Sequence, residues 1–190
     1  MNFLESQLVF YGSYHRNKIN IITHIICVPF ILWSAEVALG KLSLEIVTFK
    51  PLPLNDFVVT LDLPFLASLL YSVYYISLDA IPGLVYTPIL LAMSHHASLY
   101  SKLSHSGYTA LYIHIVCWIA QFLSHGFAEK RAPALIDGFF QAITLAPFFV
   151  FYEVLFYFGF RKDLQKRINE RISLNLGAYH TQLLREKKAR

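Results

Sequence analysis

The sequence predicts an all-α, polytopic transmembrane bundle of about five apolar helices, one of them kinked or re-entrant. Three observations carry that expectation. Hydrophobic residues make up 56% of the 190-residue chain and the mean hydropathy is +0.48, above the range of soluble domains. The apolar residues run in long stretches rich in Phe and Tyr, and short polar joints separate the stretches, as in a helical bundle in lipid. The N-terminus MNFLESQLVFYGSYHRN lacks the basic segment, apolar core and cleavage site of a removable leader, so the first span is expected to act as its own insertion signal.

In order along the chain, residues 2–14 read as a short interfacial or buried helix that places His15. A first span follows from about Ile21 to Leu39, with Asn20 as its expected N-cap and Pro29 as a kink that lipid-embedded helices tolerate. Residues 40–62 form a mixed loop without a motif. Leu63–Leu78 and a segment ending near Tyr100 make a helical hairpin across the break Asp79–Gly83, and a fourth span runs from Tyr108 to Ser124. A charged loop from His125 to Gly138 leads into a last apolar segment, Phe139–Phe160. Pro147 in its middle makes it either one kinked span or a re-entrant one, and the re-entrant form is preferred. Residues 1–160 are thus one membrane-embedded domain. Residues 161–190, with nine Lys or Arg against three acidic residues, are a basic cytoplasmic tail under the positive-inside rule. That tail suits a solvated helix face or anionic lipid head groups. Cys27 and Cys117 lie in apolar segments and act as small hydrophobes, with no disulfide framework. The partner implied by this composition is a lipid bilayer, not nucleic acid.

The stretch Tyr11–His24 organises the rest, because it carries two imidazoles into a long apolar run. A neutral imidazole tolerates apolar surroundings better than a carboxylate does, but its ring nitrogens need partners, and a metal ion is one. His15 and His24 are nine residues apart, which puts them on opposite sides of a straight helix, so they converge only if the chain turns between them. Asn17 and Asn20 are suited to that turn. Four crossings separate the start of the first span from the end of the fourth, and the even number returns His125 to the face of His15 and His24. Three such imidazoles suit Fe(II), Zn(II), Cu or Ni alike. Glu129, at i+4 from His125, is a candidate fourth ligand, an acceptor for an imidazole N–H, or a base. Lys130 and Arg131 place cations beside the site, useful to a carboxylate substrate. His95, His96, His105 and His114 read as packing histidines, with the His95-His96 pair the other candidate source of a fourth ligand. The H-x-x-H-H clusters of integral-membrane di-iron desaturases are absent.

Phe10-Tyr11, Tyr14-His15, Asn17, Asn20, His24 and Pro29, followed by Trp118-Ile119, Gln121-Phe122, His125-Gly126, Glu129-Lys130-Arg131, Pro133-Ala134-Leu135-Ile136-Asp137 and Leu145-Ala146-Pro147, resemble the family of the yeast 2-hydroxy fatty acid dioxygenase. The resemblance covers most of the chain and is weakest over residues 40–107. It implies a multi-pass endoplasmic reticulum membrane enzyme that requires Fe(II) and O2. The implied reaction is α-oxidation, which shortens a long-chain 2-hydroxy fatty acid by one carbon, as in phytosphingosine degradation. The implied iron ligands are His15, His24 and His125. On that scheme Glu129 orients an imidazole or moves a proton, and Lys130 and Arg131 steer the substrate carboxylate. Two competing classes are a non-enzymatic polytopic lipid-binding or assembly protein, in which the histidines serve helix contacts, and a zinc lipid hydrolase on the same three histidines.

Overall fold

The structure, a computed structural model, describes residues 2–42, 47–49, 59–129 and 139–189, with backbone alone at 47–49, 59, 139–142 and 176–189. The chain divides into two compact units, residues 1–22 with 124–190, and residues 23–123. The division falls inside continuous helices, so each unit is described by itself.

The first unit begins with α1 (Phe3–Tyr14), whose first turn is capped by Asn2 accepting a 2.8 Å hydrogen bond from the Glu5 amide. After α1 the chain leaves helical geometry at His15–Asn17 and re-enters it at Lys18, the start of α2 (Lys18–Leu42). The turn expected between the two histidines is therefore present. Its cap is not the expected Asn20 but Asn17, whose Oδ1 accepts from the Ile19 amide at 2.9 Å. Asn20 is fully buried inside the helix, where its amide serves longer-range bonds.

The first unit also holds α6 (Phe139–Tyr157) and α7 (Lys162–Ala189). Buried Leu4 and Leu8 on α1, and Leu164, Ile168 and Ile172 on α7, each recur at the spacing of one helix face, and the two helices pack together. Gly12 makes room for Ile172, whose Cδ1 would lie 2.5 Å from a Cβ there. Helix α6 runs through Pro147, and the sharp change of direction comes later, a 115° bend between Tyr157 and Lys162. Gly159 (φ 79°) and Arg161 (φ 48°) take the left-handed conformations that this corner requires. The Gly159 and Phe160 amides close the end of α6 on Phe156 O and Leu155 O, both at 2.9 Å. The sharp bend at the end of this segment thus falls at a glycine corner beyond Pro147.

The second unit comprises most of α2, a two-stranded antiparallel ribbon of β1 (Val47–Phe49) and β2 (Val59–Leu61), α3 (Leu63–Leu78), α4 (Ala80–Ser101) and α5 (Ser106–Ser124). The ribbon replaces part of the expected featureless loop, and residues 43–46 and 50–58 lie outside the described residues. Asp62 caps α3 through a 3.1 Å bond from the Phe65 amide. The α3–α4 hairpin turns at one residue, Asp79. Its close approach depends on Gly83, because a Cβ there would lie 2.5 Å from the Ile76 amide nitrogen. Buried serines line this contact: Ser68 donates to Leu90 O across it at 3.1 Å and Ser72 to Ser68 O of its own helix at 2.7 Å, so small polar residues sit between the helices with their hydroxyls paired.

Among the described residues, two helical stretches are long and apolar enough to cross a membrane, Lys18–Leu42 and Ser106–Glu129, or three if the bent pair Ile143–Tyr157 and Lys162–Asn175 is one span. That is fewer than the five expected. Helix α3 has only 16 residues, short of the roughly 20 that a bilayer core needs. Helix α4 has 22 residues, but its second half carries Ser94, His95, His96, Ser98 and Ser101. Exposed Ile26, Leu70, Leu84, Leu111 and Ile119 give these helices an apolar outer surface.

Candidate metal centre

His15 is the residue that ends α1, and its ring folds back on the helix it terminates. Its Nδ1 lies 2.9 Å from Tyr11 O. A carbonyl only accepts, so Nδ1 carries the proton and the buried Nε2 carries the lone pair. This is the arrangement by which a backbone carbonyl fixes the tautomer and aim of a metal-binding imidazole. Tyr11 adds a second restraint, with its ring stacked on that of His15 at 4.0 Å between centroids and 15° between planes.

His125 comes from the far end of the chain. Helix α5 continues into one π-helical turn, His125–Glu129. Such turns widen a helix by one residue and re-aim side chains, and they concentrate at functional sites. The His125 ring meets that of His15 edge-on, 4.9 Å between centroids. His24 sits one turn beyond Asn20 on α2. The structure brings all three together: one ligand nitrogen from each of His15, His24 and His125 lies within 4.8 Å of the others, and all three residues are buried.

Glu129 holds the segments that carry these rings. Its Oε1 accepts from the backbone amides of Arg16 and Asn17, both at 2.7 Å, and from Asn20 Nδ2 at 3.2 Å. Asn17 Nδ2 donates to Ala128 O at 3.1 Å, and Ser124 donates to Asn20 Oδ1 at 2.6 Å. The carboxylate, expected as a ligand, an imidazole acceptor or a base, therefore engages the turn after His15 and the first turn of α2. It does not join the three-nitrogen group, and neither do His95 and His96 among the described residues. Lys130 and Arg131 lie outside the described residues.

Three of the other histidines have contacts within the second unit. His114 accepts from Trp118 Nε1 at 2.9 Å and meets Ser34 Oγ at 2.8 Å through Nδ1, while His96 Nδ1 accepts from Trp33 Nε1 at 3.0 Å. An indole N–H is a donor only, so these bonds fix neutral packing histidines. His105 makes an edge contact with Tyr100.

The donor set fits a borderline metal ion. Metal–imidazole bonds of about 2.1 Å place three nitrogens about 3 to 3.4 Å apart, so side-chain adjustments on the order of an ångström complete the shell. Three imidazole lone pairs gathered in a buried space repel one another, and a cation converts that repulsion into binding. The set does not choose among Fe, Zn, Cu and Ni.

Comparison with known proteins identifies the family. The family model described as "2-hydroxy-palmitic acid dioxygenase Mpo1-like" matches residues 1–158. The 2-hydroxy-palmitic acid dioxygenase MPO1 of Saccharomyces cerevisiae is 32% identical over 171 residues, covering 90% of each chain. No solved structure matches. A family match that takes in α1, α2, the π-turn and all of α6 spans every element bearing the three histidines, and the chain belongs to the Mpo1-like family.

Proposed function

We propose that this protein is an Fe(II)- and O2-dependent dioxygenase of the endoplasmic reticulum membrane that shortens long-chain 2-hydroxy fatty acids by one carbon. The observation that carries this reading is the three buried imidazole nitrogens within 4.8 Å of one another, found in a family whose yeast member is named as a 2-hydroxy-palmitic acid dioxygenase. Fe(II) bound there supplies redox chemistry and open positions for a chelating 2-hydroxy carboxylate and for O2.

The chain's own contribution is to bind and orient. His15, His24 and His125 hold the ion, the Tyr11 carbonyl keeps the His15 lone pair on Nε2, and Glu129 fixes the backbone between His15 and His24. Glu129 is accordingly a positioning residue. Lys130 and Arg131 contact the substrate carboxylate, and the alkyl chain lies along the apolar helices. In the overall reaction the C1–C2 bond breaks. One O2 is consumed, C1 leaves as CO2, C2 becomes the new carboxyl carbon, and one water completes the balance.

The test is turnover of 2-hydroxypalmitate labelled at C1 by purified protein supplied with Fe(II). The reading predicts labelled CO2 and the acid one carbon shorter, in equal amounts and in step with O2 consumption. Turnover that is indifferent to oxygen and runs with Zn(II) would point to a hydrolase, and the absence of turnover in metal-loaded, folded protein would point to a structural role for the histidines.

A further inference from the structure

Helix α1 carries a buried hydroxyl for which packing gives no reason. Tyr11 is 7% exposed. Its ring is held by the stack on His15 and by Phe149, 4.9 Å away between centroids. The hydroxyl oxygen is buried and makes no hydrogen bond among the described residues. A phenylalanine would supply the same ring contacts without that oxygen, whose unpaired burial costs stability. At neutral pH a phenol is an O–H donor. Glu153 and Glu129 lie near the ring and neither accepts its proton among the described residues, so the donor is open to an acceptor brought by a ligand.

We infer that Tyr11 is a substrate-binding residue whose hydroxyl donates a hydrogen bond to the carboxylate of the 2-hydroxy fatty acid bound at the histidine centre. The inference rests on the proposed function and deepens it. An anionic head group entering beside the Glu129 carboxylate meets like charge. A neutral, rigidly stacked donor offsets this repulsion without the desolvation cost of a buried cation. The stack on His15 places this donor next to the ion-holding ring, so one end of α1 supplies a metal ligand and a contact for the acid that the metal chelates.

The test is equilibrium binding of 2-hydroxypalmitate to full-length protein loaded with Zn(II), which binds without turnover, comparing wild type with Tyr11→Phe. Metal content and melting temperature are read on the same samples. Loss of a hydrogen bond to a charged acceptor predicts a roughly 10- to 100-fold rise in Kd, with metal content unchanged. An unchanged Kd overturns the inference. Loss of metal by the variant also overturns it, because the hydroxyl would then support the centre and not the substrate. If wild type shows no metal-dependent binding of the acid, the proposed function fails, and the inference with it.

Discussion

Removing the Glu129 carboxylate separates a positioning role from a proton-transfer role. Three donors converge on one oxygen of this side chain, two at 2.7 Å and one at 3.2 Å. Bonds to a charged acceptor contribute about 1.5–3 kcal/mol each when protected from water. Arg16 is exposed here and Glu129 and Asn17 are half-buried, so water replaces part of the loss, and Glu129→Ala is expected to cost about 2–4 kcal/mol in total. Glu129→Gln retains an oxygen in the same place and loses only the charge assistance, about 1 kcal/mol. Because the bonded amides lie between His15 and His24, the alanine variant should also bind metal roughly 10- to 100-fold more weakly, as other losses of ligand support do. The assay is a metal titration followed by thermal unfolding of metal-free and metal-loaded protein. Normal stability and metal affinity in Glu129→Gln, together with loss of turnover, would refute the positioning argument and assign the carboxylate to proton transfer.

Other consequences follow from the same contacts. His125→Ala should abolish metal-dependent turnover while the metal-free protein still folds, checked by metal content and melting temperature. His114→Ala breaks the Ser34 and Trp118 bonds and should destabilise by about 1–3 kcal/mol, yet leave metal stoichiometry at the wild-type value. Gly83→Ala drives a methyl to 2.5 Å from the Ile76 backbone and should cost about 1–3 kcal/mol in thermal unfolding. Gly12→Ala should cost less, because the atom it meets is the end of the Ile172 side chain. Chelation of the metal should lower the melting temperature, since a ligand present at about 1,000 times its Kd stabilises the folded state by about 4 kcal/mol. The triple His15/His24/His125 alanine variant should show no such shift.

What could be read from the sequence was set by local chemistry. Two histidines flanking an Asn-containing stretch at the mouth of an apolar run implied a turn, and the chain does leave the helix at His15–Asn17. The expected cap of α2, Asn20, was wrong, because Asn17 suits a cap equally well and the sequence does not show which side chain is needed elsewhere. The choice falls to Asn17, since Asn20 is taken up by Ser124 and Glu129. The π-turn at His125 has no residue signature, so the re-aiming of that ring was invisible in one dimension. The same holds for Glu129, whose i+4 spacing from His125 suggested an imidazole partner, while the structure gives it backbone amides more than a hundred positions away. Glycine 159 was the better sign of the corner after α6 than Pro147, because a φ of 79° excludes most side chains, whereas a proline in an apolar helix is readily absorbed. The short β-ribbon was missed because each strand has only three residues, below the length at which alternation can be recognised.

The most direct test of the account is iron stoichiometry in detergent-purified protein reconstituted anaerobically with Fe(II), comparing wild type with the three single histidine-to-alanine variants. Oxygen-dependent shortening of 2-hydroxypalmitate is measured on the same samples. The account predicts about one iron per wild-type chain, as a single three-imidazole site requires, and joint loss of iron and one-carbon shortening on replacing His15, His24 or His125. Full turnover by a variant lacking any one of these imidazoles would contradict it.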